Sequence, residues 1–91
     1  MQTLTHEEIE LQGIDTDLPG TVILHNDDFH SFNDVINQLI LAIRCSLEKA
    51  QIHTHEVHTK GQSRVYNGAL ELCLEVSSVL EEINLKTTIE I

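Results

Sequence analysis

The sequence predicts an α+β fold, a two-layer sandwich with a three-stranded antiparallel sheet packed against three helices in the order β-α-α-β-α-β. Three observations lead there. Short β-branched or alternating runs stand at residues 21–24, 63–66 and 85–91. Between them, apolar residues recur at helical spacing. Aromatics make up only 3% of the chain, so the core must be built from Leu, Ile and Val. Three strands need one face covered, and three amphipathic helices can cover it.

Residues 1–20 differ from the rest. They carry five acids and no base, and end in Pro19-Gly20, a turn signal. They read as a solvated, mobile extension, which leaves residues 21–91 as the folded domain. Residues 21–24 (TVIL) form the first strand, which breaks at Asn26-Asp27-Asp28 because short polar side chains favour turns. Ser31 then caps a helix of about 13 residues, with Asp34 three positions on and Phe32, Val35, Ile36, Leu39, Ile40 and Ile43 on its buried face. Ser46 caps a second helix that places Leu47, Ala50, Thr54 and Val57 on one side and stops at Lys60-Gly61. Residues 63–66 make the second strand, closed by Asn67-Gly68. A third helix follows from Ala69, with Leu72, Cys73, Val76, Val79, Leu80 and Ile83 in phase. The last seven residues alternate apolar and polar, as a half-exposed strand does.

Composition excludes several classes of function. At 91 residues the chain has room for one domain and not for a catalytic domain beside a substrate domain. Fifteen acids against five bases give a net charge of −10, which is the wrong sign for a phosphate backbone or an anionic membrane surface and the right sign for a cationic ligand. A protonated α-amino group is one such ligand. No apolar run approaches the roughly 20 residues that a membrane span needs. The first 20 residues lack both base and apolar stretch, so they read as neither signal nor transit peptide, and a cytoplasmic location is expected. Cys45 and Cys73 are isolated from each other and read as buried thiols in a reducing compartment, not as a disulfide or metal clip.

Two clusters could carry chemistry: Asn26-Asp27-Asp28-Phe29-His30 and His53-Thr54-His55-Glu56-Val57-His58. Metal binding is a poor fit. His53 and His55 point roughly 200° apart on a helix, and His55 with His58 is an ordinary i,i+3 pair. Catalysis fits no better, because Asp27 and Asp28 are neighbours whereas acid–base work needs carboxylates on opposite sides of a substrate. No metal, no cofactor and no enzymatic activity are therefore expected. By spacing alone, Asn26-Asp27-Asp28 is a turn that satisfies the orphan amides of the first helix, and Phe32, Val35 and Val57 are core.

Taken together, the two clusters resemble the ClpS family of protease adaptors. Leu24-His25-Asn26-Asp27-Asp28-Phe29 is similar to that family's LNDD-aromatic signature, and Glu48-Lys49-Ala50 followed by Val57-His58 and Gly61 is similar to its EKA…VH…G pattern. The resemblance covers about 70 residues and implies an adaptor for N-degrons, meaning proteins whose first residue is bulky and apolar, which it delivers to the ClpA unfoldase of the ClpAP protease. Carried over by position, Asn26, Asp28 and His58 contact the substrate's α-amino group, while Asp27 shapes the loop. Phe32, Val35, Cys45, Thr54 and Val57 line the side-chain pocket, and Glu71 contacts the unfoldase. Departures from the family occur at Phe32, Cys45 and Thr54, where methionines are usual, at His30-Ser31 in place of Thr-Pro, and at Val76 in place of a Lys. The alternative is a docking module of the same fold with a vestigial pocket.

Overall fold

The computed structural model describes residues 2–91. It contains β1 (Thr3–Leu4), α1 (His6–Gln12), β2 (Pro19–His25), α2 (Phe32–Ile43), α3 (Leu47–Lys60), β3 (Gln62–Ala69), α4 (Leu70–Glu81) and β4 (Thr87–Glu90). The sheet is antiparallel throughout, in the order β1-β4-β2-β3. β2 is central and its Val22 and Leu24 are fully buried. With Leu39 of α2, Ala50 of α3, Leu70 and Leu80 of α4 and Ile89 of β4, they form one continuous core between sheet and helices. A register shift between Val22 and Ile23 pairs Tyr66 with the first and Arg64 with the second, so Val65 bulges from β3.

The α+β class and the order of the six expected elements are as the sequence predicts, and the structure adds a strand and a helix before them. The reading of residues 1–20 as a loose extension is thereby corrected. Thr5 and Glu8 form a reciprocal capping box at the start of α1, and Gly13 ends it in a left-handed conformation. Leu4 and Ile9 are buried in the common core. β1 joins the edge of β4, extended by paired backbone bonds between Gln2 and Ile91 of 3.0 and 2.8 Å. The His6 ring lies 3.2 and 3.3 Å from the hydroxyls of Ser77 and Ser78 on α4. Met1 lies outside the described residues.

Pro19-Gly20 is the start of β2 and not a turn. A side chain at Gly20 would meet Cys73, Leu70 and Ile89 at 3.3–3.4 Å, so close packing against α4 explains the glycine better than a bend does. β3 likewise runs through Asn67-Gly68 to Ala69 and directly into α4, which has no side-chain cap. The carbonyls of Leu18 and Thr16 take its place, accepting from the amides of Leu70 and Glu71 at 2.7 and 3.0 Å. Leu47 is exposed, whereas Ala50, Thr54 and Val57 are buried as the pattern requires.

Candidate functional site

A cavity of about 290 Å³ opens where β2 ends, α2 begins and α3 finishes. Three local features bring these ends together. Ser31 caps α2 by accepting from the Asp34 amide, which directs the chain from β2 into the helix beside Phe32 and Val35. Gly61 ends α3 at φ +87°, a conformation that strains any residue with a Cβ. Its carbonyl then accepts from the Asn26 amide at 2.9 Å, which draws the last turn of α3, carrying His58, against the end of β2.

The walls divide by chemistry. Val35, Thr54 and Val57 are buried and make the apolar floor. The Thr54 hydroxyl donates to the Ala50 carbonyl at 2.7 Å, so it has no free donor to offer the cavity. Asn26, Asp28 and His58 stand exposed around the rim. Phe32 is 45% exposed and packs edge-on against the His58 ring, 5.0 Å between centroids. An acceptor-bearing rim over an apolar floor suits a group that combines several N–H donors and a positive charge with an apolar stem.

Asp27 faces inward, and its contacts explain why. One carboxylate oxygen accepts from the amides of Phe29 and His30, both at 2.9 Å, and the other accepts from His30 Nδ1 at 2.6 Å. Partial burial works against its charge, yet the bonds from His30 and Phe29 outweigh it and hold Asp27 below the usual carboxylate range. His30 Nε2 donates in turn to the carbonyl of Ile83, in the turn between α4 and β4. That bond, followed by the one to Asp27, raises His30 above the ordinary histidine range. With acceptors on both nitrogens, His30 is an imidazolium brace tying the Asn26–Asp28 loop to the turn between α4 and β4.

Nine of the ten expected site residues have therefore been placed as follows. Asn26, Asp27, Asp28, Phe32, Val35, Thr54, Val57 and His58 all line this one cavity. Glu71 is exposed in the first turn of α4, away from it. Cys45 is the exception, and its assignment to the pocket is corrected. It lies just past the C-terminal end of α2, whose 12 residues carry the chain roughly 18 Å from the pocket end. There it lines a different cavity. It is also only partly buried, unlike Cys73, whose thiol burial pushes upward in pKa. Sequence reasoning gave no site role to His25, Leu85 or His30, though His30 stood in the first of its two clusters, and all three line the cavity. Only the unusual His30-Ser31 pair gave any signal.

Fold and cavity together define a small α+β domain that carries, at one end of α3, a recess with a polar rim and an apolar floor. The family described as "ATP-dependent Clp protease adaptor protein ClpS" matches residues 17–88. The E3 ubiquitin-protein ligase UBR1 of Homo sapiens is 40% identical over 53 residues, and that of Mus musculus 38% over 53 residues, in each case 58% of this chain. The chain spans about 3% of the length of either protein. Among solved structures, Agrobacterium tumefaciens ClpS2 bound to L-phenylalaninamide matches with a TM-score of 0.70 at 21% identity, covering 81% of this chain and 96% of that one. The chain belongs to the ClpS family of Clp protease adaptors. β1 and α1 precede the matched region.

Proposed function

We propose that this protein is a non-enzymatic, cytoplasmic adaptor that binds the free N-terminus of proteins beginning with a bulky apolar residue and delivers them to a ClpA-like unfoldase of an ATP-dependent protease. The observation that carries the reading is the division of one cavity into an acceptor rim and a largely apolar floor. An N-terminal ammonium offers three donors and a positive charge. Asp28 supplies the countercharge, Asn26 a carbonyl oxygen, and His58 a ring nitrogen. An internal residue has a single amide hydrogen and would leave acceptors unpaired, so discrimination against it is steep. Val35, Thr54 and Val57 then read the first side chain, since burying a Leu or Phe contributes roughly 1.5–3 kcal/mol. ClpS2, held with L-phenylalaninamide, pairs the same fold with a ligand that has a free amine and a Phe side chain.

Glu71 is our candidate contact for the unfoldase. It is exposed, and its amide is tied to Thr16 within the N-terminal segment. Delivery is tested with an N-degron reporter and the cognate unfoldase and protease. Addition of the protein is expected to accelerate degradation of a reporter beginning with Phe, and Glu71→Ala is expected to reduce that acceleration while peptide binding stays intact. A reporter degraded at the same rate with and without the protein would contradict the delivery role.

A further inference from the structure

A second cavity, of about 480 Å³, lies against another side of α3 and shares no wall residue with the recess. Three of the chain's five Lys and Arg residues line it, Arg44, Lys49 and Arg64, in a protein of net charge −10. They converge from three elements: the C-cap of α2, the first turn of α3, and β3. Arg44 stands in the left-handed region at φ 54°, which is uncommon for a residue with a side chain. Among the described residues neither Arg44 nor Lys49 has a carboxylate within ion-pair distance. Arg64 is committed to Glu90 by two bonds, of 2.6 and 3.1 Å, which leaves Arg44 and Lys49 as the groove's unpaired cations.

His53, also on this wall, adds no positive charge to it. The Ser63 hydroxyl gives its one proton to Glu56, so the bond between His53 Nδ1 and Ser63 Oγ, 2.9 Å, is donated by the ring. Burial first, and Lys49 second, hold His53 below the ordinary histidine range, so the ring is neutral. Its Nε2 is then a bare acceptor, buried and without a partner.

We propose that this cavity is a docking groove for an acidic peptide segment of a partner protein, its carboxylates paired with Arg44 and Lys49. A neighbouring groove, which shares Ile43, Arg44 and Tyr66 with this one, continues past Leu41 and Leu72, both exposed. The segment that fits best therefore sets apolar residues beside its acids. Since the successive residues His53 and Thr54 serve separate cavities, both sites can be filled at once.

The test is calorimetric titration of the full chain with a peptide of alternating Asp and Leu, acetylated at its N-terminus so that it offers no ammonium to the recess. Binding is expected, with at least a tenfold loss when Asn replaces every Asp. A similar loss is expected for the double variant Arg44→Asn, Lys49→Glu. Asn tolerates the left-handed backbone and an acid suits the first turn of a helix, so this variant is expected to fold; the single Lys49→Ala variant gives a milder independent check. Lys86→Glu, which removes a cation outside the groove, is expected to change little. No binding of the acidic peptide, equal affinity for the Asn peptide, an equal loss from Lys86→Glu, or displacement by equimolar inorganic phosphate would overturn the proposal.

Discussion

The loop at Asn26–His30 and the N-terminal pair β1–α1 are both additions to the edge of the core, and they are held there by opposite means. The loop is largely exposed and is kept in shape by polar contacts: the Asp27 bonds, the His30 brace and the Asn26–Gly61 backbone bond. β1–α1 is kept in place by burying Leu4 and Ile9, with a strand pairing to orient it. A region fastened by apolar burial carries stability, whereas one fastened by hydrogen bonds fixes the positions of side chains left open to a ligand. Changes in the first region should therefore move stability and leave binding alone. Changes at the open rim should do the reverse.

The largest effect is expected at Ile9. Replacing this fully buried side chain with Ala should cost about 2–5 kcal/mol of folding stability by chemical denaturation, while affinity for an N-terminal Phe peptide stays within about twofold. A large loss of affinity in folded protein would mean that α1 reaches the pocket. Next come Asp28→Ala and His58→Ala, each expected to weaken peptide binding by roughly 1.5–3 kcal/mol, the range for hydrogen bonds to charged groups. Both side chains are exposed, so the denaturation midpoint should scarcely move.

His30 joins the two kinds of region, and pH separates its role. Its pKa is raised in the fold, so its contribution is complete below the ordinary histidine value and is lost as pH rises through the raised one. Asp27 is depressed, so its contribution is present above the ordinary carboxylate value and is lost as pH falls through the lowered one. Between those limits, His30→Thr should cost about 1–2 kcal/mol of stability, and the gap from wild type should close towards alkaline pH. A gap independent of pH would assign His30 to packing alone. The smallest of these energies is expected at Phe32. With nearly half its surface exposed, Phe32→Ala should cost about 1 kcal/mol and should admit N-terminal Ile or Val by opening space at the rim. Unchanged specificity with a loss of several kcal/mol would place Phe32 in the core.

Local signals carried most of the matched region into view from sequence. Ser31 and Ser46 cap the helices they were expected to cap, and Ala50, Thr54 and Val57 face inward because the helical period puts them on one side. What escaped notice depends on partners distant in sequence. His30 is unremarkable until Ile83, 53 residues away, is seen to accept from it. α1 shows one buried position, Ile9, which is too few for a period to emerge, and its acids looked like those of a solvated tail. Cys45 is a pocket residue only by its position in the family pattern, and it follows α2 at the end away from the pocket, just past the left-handed Arg44.

The central claim is that the rim around Asn26, Asp28 and His58 recognises a free α-amino group, and one pair of ligands tests it. A peptide beginning with Phe and its N-acetylated form have the same side chain and the same sequence, and differ in the charge and two of the three donors. Titrated into the same protein at neutral pH, the free peptide should bind in the micromolar range, about −8 kcal/mol. The acetylated one should bind at least a hundredfold more weakly. Equal affinity for the two would contradict the account and leave the recess as a docking surface that does not read the N-terminus.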